Sequence, residues 1–137
     1  MAVQIKRVEY YYCAVEDKHG TGYWLLEHLR QKNVNLIAFT AFPTGGGRSQ
    51  LDFVPDDPKA LVAAVKEAGV NLVGPKWAFL VQGQDDVGAI VELHRKLGVA
   101  SINVHAANGV ADGSGRFGYV LWVKPEDYQR AAQVLGA

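Results

Sequence analysis

Apolar positions along this chain switch between a two-residue and a three-to-four-residue rhythm, and the switches mark out its elements. Residues 8–15 are β-branched, aromatic and apolar without clean alternation, which predicts a strand covered at least partly on both faces. A polar break at residues 16–20 precedes a helix with Gly22, Leu25, Leu26 and Leu29 on one side, and Asn33 is placed to close it. Residues 34–42 form a second strand, Pro43 to Gly47 a turn, and residues 48–54 the returning strand, with Leu51 and Phe53 on one face and Asp52 on the other. Asp56-Asp57-Pro58 then opens a second helix, because proline at the first helical position gives up an N–H that would lack a partner there. Leu61, Val62, Val65 and Ala68 make its buried stripe, Gly69 stops it, and residues 70–73 are a short fourth strand.

The same order then begins again. Asp17-Lys18-His19-Gly20, a helical run and Val34-Asn35-Leu36 recur 68 residues later as Asp85-Asp86-Val87-Gly88, a helical run and Ile102-Asn103-Val104. The second copy continues with strands at 77–82, 101–110 and 116–123, a helix at 88–97 carrying Ile90, Leu93, Leu97 and Ala100, and a helix at 125–135 carrying Tyr128, Ala131, Ala132 and Leu135. An internal repeat fixes the architecture before residues are read singly. Gly74-Pro75 divides the copies, as residues 1–74 and 75–137. Each is a β-α-β-β-α-β unit, the split βαβ, ferredoxin-like arrangement of an α+β fold, with antiparallel strands and both helices on one sheet face. The second copy ends before its own fourth strand. Residues 3–7 or a partner chain are the candidates for that slot. The apolar open face of each sheet calls for cover, from the other copy or a second subunit.

Composition narrows the function classes. Lys+Arg and Asp+Glu each number 14, so the formal net charge is zero, and there is no basic run to bind nucleic acid or an anionic membrane. One cysteine, Cys13, excludes an intrachain disulfide and a cysteine-based metal site. No stretch reaches membrane-spanning length, and the first residues lack the apolar core of a signal peptide, so the expected location is the cytoplasm.

Gly20 and Gly88 stand at the entry to the first helix of each copy. A helix N-terminus offers unpaired N–H groups and partial positive charge to an anion, and glycine lets a ligand approach the backbone. The side-chain amides of Asn35 and Asn103 offer a donor and an acceptor together, which suits a free amino acid. In one split βαβ unit, the strand start that carries the asparagine lies at the opposite sheet end from the loop, so two units placed edge to edge would be needed to bring them together. A purely structural role stands beside this: Asp17 and Asp85 as helix caps, the glycines as turn residues, the asparagines as punctuation at strand starts.

The Asp-x-x-Gly loop, the amphipathic helix, the Val/Ile-Asn-Leu/Val segment, and the following strand, glycine turn and strand resemble the ACT domain, a βαββαβ regulatory module. The resemblance covers two tandem copies, at about residues 8–73 and 77–135. It implies a stand-alone, non-catalytic regulatory protein that binds a free amino acid or similar small zwitterion at an interface between ACT units, with no cofactor. A homodimer and a regulated protein are the implied partners. The implied ligand-binding residues are Asp17, Lys18, His19, Gly20 and Thr21 with Asn35 and Leu36, and Asp85, Asp86, Val87, Gly88 and Ala89 with Asn103 and Val104. Many family members carry proline before the loop glycine. Here His19 and Val87 stand there, so one loop is polar and the other apolar, and Lys18 and His19 favour the first.

Other signals are weaker. Gly45-Gly46-Gly47-Arg48 and Gly113-Ser114-Gly115-Arg116 lie between two strands and lack the following helix and Lys-Ser/Thr of a P-loop, and they suit hairpin turns whose arginine pairs a carboxylate. His19, His28, His94 and His105 show no metal-site spacing. The alternative function is an ACT-fold interaction module without a ligand, joined to its partner through the unfilled strand slot.

Overall fold

The computed structural model describes residues 3–137. Its elements are β1 (Val3–Glu16), α1 (Thr21–Gln31), β2 (Leu36–Gly45), β3 (Arg48–Pro55), α2 (Pro58–Glu67), β4 (Val73–Gln84), α3 (Val91–Val99), β5 (Ala106–Ala111), β6 (Arg116–Trp122), a 3-10 turn (Pro125–Asp127) and α4 (Tyr128–Leu135). These fall into two compact units. The first is Glu9–Lys76, and the second joins the N-terminal residues up to Val8 to Trp77–Ala137. The sequence division at 74/75 placed the N-terminal segment, including Met1 and Ala2, which lie outside the described residues, in the first copy. Gly74-Pro75 does not interrupt the chain as a linker either, since both residues lie inside β4.

In the first unit the strands are ordered β2-β3-β1-β4, and in the second β5-β6-β4-β1. β1 and β2 each pair with β3 antiparallel, as β4 and β5 each do with β6. The fourth-strand slot of the second unit is therefore taken by residues 3–8 of β1. Val3 and Ile5 pack on the core of that unit, beside Phe79, Val81, Leu97 and Leu121. Arg7 reaches across the same unit, its guanidinium 5.7 Å from the centre of the Tyr128 ring and 3.2 Å from the Ala137 carbonyl that accepts its hydrogen bond. The first-unit core joins Cys13, Leu25, Leu29, Phe53, Leu61 and Val65.

Helix ends follow the residues that start and stop them. The Asp57 carboxylate accepts from the N–H groups of Lys59 and Ala60 at the start of α2, with Pro58 at the first helical position, a cap worth about 1 kcal/mol. Asn33 takes a left-handed conformation just beyond α1, where the Val34 N–H donates to the Leu29 carbonyl at 2.9 Å. Its counterpart Ser101 does the same after α3, with Ile102 N–H donating to Leu97 at 2.9 Å. Two expected core positions lie elsewhere. Leu26 and Val62 are exposed, because the buried stripe of α1 is Leu25 and Leu29, and that of α2 is Leu61, Ala64 and Val65.

The sheet face turned away from the helices also holds buried residues: Ala78, Leu80, Val120 and Trp122 in the second unit, and Val54 and Asp52 in the first. Asp52 accepts a 2.9 Å hydrogen bond from the Gln50 side chain. Burial pushes its carboxyl above the ordinary aspartate range, while the Gln50 bond and the nearby Lys76 charge offset part of the effect. Burial, with a smaller contribution from Asp52, raises the Cys13 thiol to about 11, so the cysteine is a protonated core residue.

Two predictions follow from this packing. Ile5→Ala should lower stability by about 1–2 kcal/mol, a partial-burial share of the cost of a core truncation. The exposed control Lys6→Ala should stay within about 0.5 kcal/mol. Equal effects in denaturant melts would show that the N-terminal strand is not packed. For Asp52, a carboxyl whose folded pKa lies above its unfolded value stabilises the fold below the unfolded pKa and loses that contribution as pH rises through the folded one. Asp52→Asn should therefore raise Tm at neutral pH and converge with the parent as pH falls through the ordinary aspartate range. A Tm decrease at neutral pH would contradict the sign.

A candidate small-molecule site at the first β1–α1 loop

β1 pairs with β3 so that Glu16 stands opposite Arg48. The loop leaving β1 must then lie beside the turn that enters β3. The Asp17 N–H donates to the Gly47 carbonyl at 2.8 Å and fixes that contact. Within the loop, Lys18 N–H donates to Glu16 at 3.1 Å, and Gly20, with φ of 84°, turns the chain into α1. A positive φ of this kind is what glycine tolerates and other residues do not. No side chain caps α1, and the Thr21 N–H at its start donates to the Lys18 carbonyl at 3.4 Å. Asp17 is thus not the helix cap.

Loop and hairpin border an open pocket of about 200 Å³. Glu16, Asp17, Lys18, Thr21 and Gly22 line one side of it, Ala41, Phe42, Pro43 and Ser49 the other, and Val15 and Leu51 complete it. The Thr21 hydroxyl is buried at this wall and has no hydrogen-bond partner. Buried hydroxyls are ordinarily satisfied, so an unpaired one beside a cavity is a position where a ligand atom can gain a bond. Lys18 pairs with Glu16 at 3.2 Å, both side chains being largely exposed. Exposed pairs of this type are weak, so the ammonium is free to turn toward an anion. The pocket can supply cation and hydroxyl to a carboxylate, and carboxylates from Glu16 and Asp17 to an ammonium.

The structure divides the sequence-derived residues. Asp17, Lys18 and Thr21 line the pocket, and His19 and Gly20 form the exposed turn next to it. Asn35 and Leu36 are at the far end of the sheet, where the Asn35 carbonyl accepts from the Asp56 N–H at 2.9 Å and Leu36 stands opposite Pro55. One unit does not bring the loop and the asparagine together. The second unit repeats the pattern. Asp85 N–H donates to Gly115 at 2.9 Å, Asp86 N–H to Gln84 at 2.9 Å, and Gly88 has φ of 74°. Val87 is fully exposed, Ala89 half-buried, and α3 starts at Val91, two residues beyond the position equivalent to Thr21. Asn103 is exposed and Val104 packs on the core, near His105, whose N–H donates to Trp122 at 2.8 Å at the sheet end remote from Asp85.

Sequence reasoning missed the hairpin wall of Ala41, Phe42, Pro43 and Ser49. The signal for it was topological: in a β-α-β-β unit the exit of the first strand and the hairpin after the second share a sheet end. The turn arginine also differs from expectation. Arg48 donates to the Ala14 carbonyl at 3.0 Å rather than to a carboxylate. His28 and His94 are half-buried, with Nε2 atoms 2.8 Å from the Ala64 carbonyl oxygen and 2.7 Å from the Tyr119 hydroxyl.

No protein-family model matches the chain, and no curated protein does. Solved structures share its fold. Protein BT0572 from Bacteroides thetaiotaomicron superposes with a TM-score of 0.82 at 17% identity, over 96% of this chain and 88% of that one. The ligand-free regulatory subunit of aspartate kinase from Thermus thermophilus gives 0.66 at 12% identity, over 98% and 94%. Escherichia coli aspartokinase III, in complex with lysine and aspartate, gives 0.56 at 15% identity, over 98% of this chain and 32% of that one. The fold is thus α+β, ferredoxin-like and ACT-like, of the kind found in aspartate kinase regulatory domains. Among the described residues, no helix is long and apolar enough to cross a membrane.

Thr21→Val tests the unpaired hydroxyl. Removing a buried, unsatisfied donor at constant shape should leave the ligand-free protein as stable or raise it by about 1 kcal/mol. A loss of that size in a denaturant melt would mean that Thr21 already has a partner.

Proposed function

We propose that this chain is a non-catalytic regulatory protein that binds a free amino acid or similar small zwitterion at the first β1–α1 loop. The observation that carries the proposal is the pocket of about 200 Å³ between that loop and the β2–β3 hairpin, with the buried, unpaired Thr21 hydroxyl in its wall. Lys18 and the uncapped start of α1 receive the carboxylate, and Asp17 and Glu16 the ammonium. The fold it shares with an aspartate kinase regulatory subunit supports a regulatory role, and the aspartokinase complex with lysine and aspartate supports the ligand class.

The exposed apolar residues of the same unit favour a second copy as partner. Phe42 lines the pocket and is exposed, Tyr23 and Trp24 are exposed on the first turns of α1, and Ile37 and Phe39 are exposed on the edge strand β2. Apolar residues exposed on an edge strand are the kind of surface that a partner copy covers. A ligand at their border would stabilise one association state over another and so act as a regulatory signal. Asn35 and Asn103 would take part only across units brought together by that association. The alternative, an interaction module joined through an empty strand slot, loses its motivation because residues 3–8 occupy the slot.

A thermal-shift screen against the twenty amino acids tests the proposal. One of them at ~100 times its dissociation constant should add about 2.7 kcal/mol of stability. No shift with any of the twenty would refute it.

A further inference from the structure

The two units share the hydrogen bond that ties loop to hairpin and a positive-φ glycine in the loop, and differ in the side chains beneath it. At the repeat offset of 68 residues, the pocket residues Gly22, Ala41, Ser49 and Leu51 of the first unit correspond to Ile90, Gly109, Phe117 and Tyr119 of the second. Three of these exchanges add bulk, whereas Val15, Thr21, Phe42 and Pro43 of the same lining correspond to the smaller Gly83, Ala89, Val110 and Ala111. The fourth removes a side chain where the new bulk passes: a Cβ built on Gly109 would stand 2.6 Å from Tyr119 Cδ1, a distance that no side chain at 109 tolerates. Tyr119 is buried with Phe79 and Val81, and Ile90 and Phe117 pack against the same cluster. The Tyr119 hydroxyl meets His94 Nε2 at 2.7 Å, which ties the ring to α3. The corresponding residues of the first unit, Leu51 and Leu26, cannot form that bond, and Leu26 is exposed.

We infer that the second unit is a self-filled counterpart of the site, in which Ile90, Phe117 and Tyr119 occupy the space that stays open in the first. The chain therefore takes one amino acid, in the first unit, and the loop of residues 85–89 serves structure rather than binding. This rests on the amino-acid-binding function proposed above. Gly22 is the residue that keeps the first site open. A Cβ there meets nothing within 4 Å, so a side chain can leave Gly22 without a clash at its first atom, and Gly22→Ile introduces the residue that stands at the equivalent position 90. An isoleucine also costs the helix less than glycine does.

Each of the twenty L-amino acids is titrated calorimetrically into the full chain and into Gly22→Ile. The expected result is one site per chain, weakened at least ~100-fold by Gly22→Ile with Tm unchanged or raised. Two sites per chain, or binding that survives Gly22→Ile, would overturn the inference. If no amino acid binds, the proposed function fails, yet the self-filled unit is still tested by Tm. Phe117→Ser should then lower Tm by about 5 °C, because a packed side chain is lost, whereas Ser49→Phe should not lower it. A Phe117→Ser variant as stable as the parent would overturn the inference on its own.

Discussion

A sheet with helices on one face must have its fourth strand, because without it the edge and the core beside it are left in water. In the second unit β1 supplies that strand from residues 3–8. This single requirement explains why β1 is 14 residues long, with Val3 and Ile5 in one core and Tyr11 and Cys13 in the other. It also explains why β4 continues through Gly74-Pro75: its start completes the first unit, and Trp77 to Gln84 open the second.

With the strands so placed, the end of β1 comes beside the entry to β3 in the first unit, and the end of β4 beside the entry to β6 in the second. The Asp17–Gly47 and Asp85–Gly115 hydrogen bonds record the same geometry twice. What the backbone repeats, the side chains divide. Gly22 and Ser49 line the pocket of the first unit, and their counterparts Ile90 and Phe117 pack, partly buried, against the core of the second. Duplication preserves the frame cheaply, since the helix stops at Asn33 and Ser101 and the turns at Gly20 and Gly88 need only local conformations. A pocket needs several small residues at once, so a few larger side chains suffice to close it.

Much of this was legible in the residues. The repeat from Asp17 to Asn103 gave the element order, and Asp57-Pro58 gave a helix start that the structure places where expected. The core stripe of α4, Tyr128, Ala131, Ala132 and Leu135, is buried as its spacing implies. Leu26 and Val62 misled because α1 and α2 each bury a narrower stripe than their apolar residues suggest. The destination of residues 3–8 stayed open, since a short segment without a strong period pairs wherever a strand edge is free. The site was half legible. Its loop follows from glycine and repeat, but the hairpin wall depends on contacts between segments some 30 residues apart, which local pattern does not record. The Asn35 and Asn103 positions show the converse, two polar residues that recur in register and yet stand far from the loops.

The most direct test of the central claim is an amide-resolved NMR titration of the full chain with the amino acid that stabilises it most. The account predicts the largest shift changes at the amides of Asp17 to Gly22 and at Ser49, with Asp85 to Ile90 and Phe117 unmoved. Equal changes at both loops, or changes confined to residues 85–90, would contradict it.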